Sequence, residues 1–285
     1  MNELAEYLRY ALYLFLFAAV SDALVAWVLR RRRARDPKEA ASNLVIYMMA
    51  KGWRDYVTRG IEVSILAVVY AAAPYKLPIT WWAFGLTLLA SDFVYYWKHR
   101  AEHRVRFMWA YHSVHHSSEE FNLTTAFRLP WLGGFTVMMV YLPLVLAGCN
   151  PFVLLLCRQI VLLYQFWIHT GSIGSLGLFD QLFNSPANHR VHHGTNPLYL
   201  DRNHGGILII WDRLFGSYQR ELPEEPVKYG LTKKIATQNP LRITLHEPLA
   251  MLRDIRGARS LWDALGYVFR EPGWKPRKEA SLLHP

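Results

Sequence analysis

The chain has 285 residues, enough for one substantial domain or two small ones, and 52% of them are hydrophobic and 14% aromatic. Its formal net charge of +10 has no separate basic domain behind it, which argues against nucleic acid as a partner and for basic loops beside anionic lipid headgroups. Two cysteines, Cys149 and Cys157, are too few for a disulfide framework and sit at or inside an apolar run, so sulfur ligation of a metal is not expected.

Five long apolar runs follow one another at 7–29, 57–73, 79–97, 131–147 and 152–168. Each approaches the roughly 20 residues that a helix needs to cross a bilayer. One such run would suit the core of a soluble protein, but five predict an all-α, polytopic integral membrane bundle.

The basic clusters "RRRRAR" at 30–35 and "KHRAEHRVR" at 98–106 follow the first and third runs. With positive residues held inside, both clusters face the cytoplasm and the connections at 73–78 and 148–151 lie outside. No basic stretch precedes the first run, so a retained anchor is expected in place of a cleaved leader. The expected location is the inner membrane of a bacterium or the endoplasmic reticulum of a eukaryote.

Residues 43–56 read as an interfacial helix. The fourth and fifth runs form a hairpin on Gly148, Asn150 and Pro151, returning the chain to the cytoplasmic side at His169. Beyond Gln219 the composition turns charged and proline-containing, which predicts a peripheral cytoplasmic tail over 220–285 attached to a single membrane-embedded domain, 1–285.

Nine of the 12 histidines form a pattern: His99 and His103 (HxxxH), His112, His115 and His116 (HxxHH), His169 alone, and His189, His192 and His193 (HxxHH). All nine fall at or just beyond the cytoplasmic ends of the runs. On a helix, positions i, i+3 and i+4 share one face, so each box is a clamp for a metal ion. Nine imidazoles exceed what one ion takes. Two ions of octahedral preference offer about twelve positions, which leaves room for water and O2 and predicts a dinuclear site with open coordination.

Imidazole suits iron, zinc, copper and nickel, and zinc binds such sites more tightly than ferrous iron, so an isolated preparation can carry zinc. Iron is the expected working metal, because a zinc hydrolase needs only three ligands per ion and a water. A lone histidine is more often a satisfied polar residue than a ligand, but three boxes together outweigh that reading.

Further residues are candidates on position alone. Asp92, two helical turns before His99, is expected to hold an imidazole tautomer and offset metal charge, with helix packing as a protonated acid the competing role. Glu119 is a candidate to support the site, although Ser117 and Glu120 beside it fit a capping box. Arg128 and Arg158 are expected at a lipid headgroup, with snorkelling or an interhelical contact competing for Arg158. His204, His246 and His284 are expected as solvated loop histidines, with His204 in "DRNHGG" the first to reconsider.

With its three boxes, "HHSSEEFNLTTAFR", "YQFWIHT", "HRVHHG" and "DRNHGGILIIWDRLFGSY", the sequence resembles the fatty acid hydroxylase and sterol desaturase superfamily. The resemblance implies a catalytic core over 87–219, the nine histidines as ligands of two iron ions, a cytoplasm-facing site, and a lipid substrate oxidised with O2 and an unidentified electron donor. It leaves tetrahydrobiopterin open. An ether lipid attacked beside its oxygen would yield a hemiacetal that collapses to an aldehyde and glycerol.

Sterol, fatty acyl or carotenoid hydroxylation or desaturation is the alternative chemistry. A membrane protein that only handles zinc or iron is the alternative of another class. A transporter should spread ligands along a path across the bilayer, whereas these histidines collect on one side.

Overall fold

The structure is a computed structural model that describes residues 36–276 except Leu132, together with isolated positions Tyr13, Phe17, Val20, Ser21 and Leu24. Most of the first apolar run, the basic cluster at 30–35 and His284 lie outside the described residues. Among those described, helices carry the fold, and the single extended pairing is an isolated bridge between Phe183 and Leu208.

Helix α1, Pro37–Trp53, starts where Asp36 accepts the Lys38 amide at 2.8 Å and proline takes the first helical position. One wider π-helical turn, Arg54–Thr58, joins it to α2, Arg59–Ala72. Helix α3, Trp81–Arg104, is the longest among the described residues, and α4, Arg106–His116, folds back from it at extended Val105. Helices α5, Gly134–Leu146, and α6, Pro151–Ile168, pack with α2 and α3 into a four-helix group around Leu66, Tyr141, Val145 and Leu154. Asn150 caps α6 by accepting the Phe152 amide at 2.9 Å, and Gly148 turns the hairpin at φ 98°, where a Cβ would come within 2.6 Å of the Tyr75 carbonyl oxygen.

The helices differ in length from the expected spans. Only α6 is long and apolar enough to cross a membrane among the described residues. Helix α5 has 13 residues, about 20 Å against a hydrocarbon layer of roughly 30 Å. Pro130, Gly133 and Gly134 delay its start until after the bend at Trp131. The run at 57–73 splits between the π-turn and the 14 residues of α2.

After α6 come three short helices, α7 (Phe179–Leu182), α8 (Pro186–His192) and α9 (Ile210–Leu214). The last two described helices, α10 (Pro240–Arg256) and α11 (Leu261–Phe269), pack on α4, and α10 also reaches α1. Ile243 of α10 is buried with Ile46 and Val114. Arg106 reaches Glu247 at 2.9 Å and Asp254 at 2.6 Å. The region after Gln219 thus packs against α4 and α1.

Candidate metal centre

Four chain segments end at one place. The last two turns of α3 present His99 and His103, and the reversal at Val105 brings His112, His115 and His116 of α4 against them. His169 stands at the C-terminal end of α6. Ser185 and Pro186 start α8, which carries His189 and His192 and is closed by His193. All nine are buried.

The imidazoles form two adjoining groups. His99, His103, His112, His116 and His192 make one, and His115, His169, His189 and His193 the other, with the nitrogens of each group within 4.8 Å of one another. The groups share a wall where the His116 and His193 rings stack at 4.4 Å.

The outer nitrogens are tethered. Nδ1 of His99 lies 2.9 Å from the His204 carbonyl, Nδ1 of His115 3.3 Å from that of Arg128, Nδ1 of His169 2.6 Å from that of Gln165, and Nδ1 of His192 3.0 Å from that of Arg202. A carbonyl only accepts, so each Nδ1 carries the hydrogen and each Nε2 keeps its lone pair. The inner atoms then crowd: Nε2 of His169 is 3.1 Å from that of His115 and 2.9 Å from that of His189, and Nε2 of His112 is 3.1 Å from those of His99 and His116.

At His115 and His169 both partners are tethered in this way, and two lone pairs facing at that distance repel unless a cation lies between them. A proton does not serve, because burial pushes the His115 imidazole well below its usual range and His169 down to about 4. A metal ion does. Two nitrogens about 2.1 Å from one ion and at right angles to each other are about 3 Å apart. Nε2 of His103, His192 and His193 is buried without a hydrogen-bond partner, as donors awaiting an ion would be. The residues present therefore fit a pair of metal ions.

Sequence reasoning missed three neighbours. Glu102, buried inside the first box, lies 3.4 Å from His112 Nδ1. Asp201 lies 3.4 Å from His103 Nδ1. His204 is buried, not solvated: its ring is 5.0 Å from that of His103, and its backbone is fixed by Asp212, which accepts the His204 and Gly205 amides at 2.7 Å each. The "DRNHGG" motif was the available signal. Gly206 in it lies so close to α3 that a Cβ would come within 2.6 Å of Asp92 Oδ1.

The remaining candidates lie elsewhere. Asp92 holds no imidazole: its carboxylate accepts the Ile207 and Leu208 amides at 2.6 and 3.1 Å and the Trp211 indole at 2.9 Å, which pins the loop after His204 to α3. Glu119 is half-exposed and pairs with Lys234 at 2.7 Å. Arg128 is buried and committed to Asn43, Ser117 and Gln238 at 2.6, 3.0 and 3.3 Å, which removes it from any headgroup. Arg158 pairs with Glu62 across α6 and α2 and lies over the Tyr141 ring at 4.8 Å, so the interhelical contact prevails. Asn122, and not Ser117, caps the short helix Leu123–Phe127, while Glu120 accepts the Asp36 amide at 2.5 Å. His246 is half-buried, with Nδ1 2.7 Å from the Ile243 carbonyl.

A cavity of about 820 Å³ reaches the centre at His103, His116, His192 and His193, and its far wall comes from residues 230–235 and from α10 and the turn after α11.

Fold and site together define a helical protein that gathers nine buried imidazoles into two groups with the geometry to hold metal ions. Residues 84–217 match the family model described as fatty acid hydroxylase, and all nine histidines lie inside that match. It is similar to alkylglycerol monooxygenase of Xenopus tropicalis, with 36% identity over 98% of this chain and 62% of that protein. It is 34% identical to the alkylglycerol monooxygenase of Homo sapiens over the same shares. Ornithine lipid hydroxylase OlsE of Rhizobium tropici is 27% identical over 53% of this chain and 46% of that protein. The chain spans 62% of the length of the two alkylglycerol monooxygenases. No solved structure matches it.

Proposed function

We propose that this chain is a membrane-embedded oxygenase that hydroxylates a lipid C–H bond with O2 and an external reductant, an ether lipid being the first substrate to test. The observation that carries this reading is the convergence of nine buried imidazoles in two adjoining groups, with the lone pairs of His115 and His169 facing each other at 3.1 Å. Two iron ions held by these groups would supply the redox chemistry that O2 activation and attack on an unactivated C–H bond require.

The protein's own contribution is positional and electrostatic. Backbone carbonyls hold His99, His115, His169 and His192 in one tautomer, so their lone pairs need no reorganisation before use. Glu102 and Asp201 set negative charge beside His112 and His103. Burial limits contact of the imidazoles with bulk water to the cavity at His103, His116, His192 and His193.

A membrane setting is supported by the apolar side chains that the four-helix group leaves exposed, among them Val68 on α2, Leu89 on α3, Met139 on α5 and Leu163 on α6. The charged pair Glu62 and Arg158 is satisfied between two helices, as charges in a bilayer must be. The basic segment 98–106 at the histidine-bearing end supports a cytoplasmic orientation of that end.

The test is to purify the chain with ferrous iron, add O2, a reductant and an ether lipid, and look for aldehyde release by mass spectrometry. Absence of oxygenated product across several lipids and reductants, with metal still bound, would favour a metal-handling protein. A second reading, hydroxylation of a polar lipid other than an ether lipid, is favoured by the likeness to an ornithine lipid hydroxylase. Replacing the ether lipid by its ester counterpart separates the two.

A further inference from the structure

The C-terminal helix pair presents an outer surface that the metal centre does not use. On α11 the inner face is sealed: Gly266 and Tyr267 are buried, and a Cβ at Gly266 would come within 2.4 Å of Trp274. Its outer face is a stripe of Leu261, Leu265 and Phe269 at spacing i, i+4, i+8 with Trp262 beside it, and Trp262 is 80% exposed. On α10, Leu249 and Leu252 continue the exposed apolar surface while Ile243 and Thr244 face inward.

The charges are sorted in the same sense. Exposed Arg242, Arg256 and Arg259 flank these stripes and take part in no ion pair among the described residues. The acids Glu247 and Asp254 turn inward to Arg106, and Asp254 also meets Lys275 at 3.3 Å. An apolar stripe rimmed by arginine is the pattern of a helix lying in a membrane interface, with the rim complementary to anionic headgroups.

Height along α3 agrees, if the chain spans the bilayer as proposed above. The apolar run ends at Trp97, and α3 continues to Arg104, about 10 Å further along the axis. There the Arg106 amide donates to the Arg270 carbonyl at 2.9 Å, which fixes the end of α11 at that level. A helix about 10 Å across at that height reaches the headgroup layer with its side chains.

We propose that α10 and α11 form an interfacial anchor whose outer face lies in the headgroup layer of the same membrane and prefers anionic lipid. Helix α10 and the turn that follows α11 wall the cavity that leads to His103, His116 and His192. Seating them in the interface brings the mouth of that cavity to the level of lipid headgroups, so a polar lipid can reach the centre without leaving the membrane.

The experiment uses the full chain with a nitroxide at one introduced cysteine: Trp262→Cys for the anchor, Leu89→Cys for the α3 span, Glu224→Cys for an exposed turn. Cys149 and Cys157 are buried and remain unlabelled. In phosphatidylcholine vesicles, the label at 262 should be relaxed more by O2 than by a water-soluble nickel chelate, like the label at 89 and unlike that at 224. Adding phosphatidylglycerol should deepen it, and Arg256→Ser with Arg259→Ser should remove that response.

A label at 262 that behaves like the one at 224, while the label at 89 contacts lipid, overturns the anchor and leaves the membrane reading standing. A label at 262 immobilised and shielded from both reagents means that a protein covers the surface, and it overturns the anchor equally. A label at 89 shielded from lipid removes the spanning reading, and the anchor with it.

Discussion

The two imidazole groups are built from the same residue type but supported differently. The group of five has carboxylates beside it, Glu102 at His112 and Asp201 at His103, and three of its members line the cavity. The group of four is tethered through the carbonyls of Arg128 and Gln165, and only His193 among its members lines the cavity. A carboxylate beside Nδ1 makes an imidazole more basic and offsets the charge of a bound ion, whereas a carbonyl mainly fixes orientation. The group of five is therefore the electrostatically tuned, accessible side, and the group of four the more enclosed one.

Removing the hub of either group is the strongest way to break this comparison. His112 has two Nε2 contacts in the group of five and His169 two in the group of four. His112→Ala and His169→Ala should each lower bound metal from two ions to one and reduce turnover by more than about 100-fold, since ligand loss exceeds the 10–100-fold typical of loss of a ligand's supporting partner. Metal analysis of each purified variant is the check. Loss of both ions from either variant would show one interdependent site in place of two.

Glu102→Gln should come next, weakening metal retention by about 10–100-fold. The effect should be confined to the ion in the group of five, read by competition with a chelator. Asp92→Asn provides the contrast on the same helix. Its carboxylate holds two amides and an indole, so loss of its charge should lower stability by about 1.5–3 kcal/mol. That shift would be seen in thermal unfolding, with both ions still bound to the folded protein.

These two acids mark what the sequence could and could not disclose. The histidine boxes were legible because i, i+3 and i+4 spacing fixes a shared face whatever the tertiary fold, and the hairpin was legible because Gly148, Asn150 and Pro151 act locally. Asp92 was assigned to His99 by helical phase, but the loop at 207–211 approaches that face from 115 residues away and takes the carboxylate first. Glu102 escaped notice because its partner lies on the next helix, beyond the reversal at Val105. Arg128 reads as a free cation until Asn43, 85 residues earlier, is placed against it. Helix lengths were overestimated because hydropathy does not register where glycine and proline delay a start, as at Gly133 and Gly134.

Acid should act on the metal-free chain in a definite direction. Burial holds His169 at about 4, against about 6.5 in an unfolded chain. The unfolded state therefore binds more protons between these values, and the stability contributed by the neutral imidazole is present above about pH 6.5 and lost as pH falls toward 4. Burial depresses His115, His189 and His193 in the same sense. The melting temperature of the apo protein should thus be level above pH 7 and fall steeply below 6. A melting temperature that rises on acidification would show that cations, and not lone pairs, are stabilised in this group.

The smallest effect is expected at Glu119, the acid that sequence position offered for the site. It faces Lys234 at 2.7 Å with both side chains substantially exposed, and such pairs contribute less than about 1 kcal/mol. Glu119→Gln should leave metal content, turnover and pH profile unchanged, while Glu102→Gln changes metal retention. The two substitutions alter charge identically, so a difference between them isolates burial beside an imidazole as the operative variable. Equal effects would mean that the carboxylates act through the long-range field of the protein, and the contrast between the tuned and the enclosed group would lose its basis.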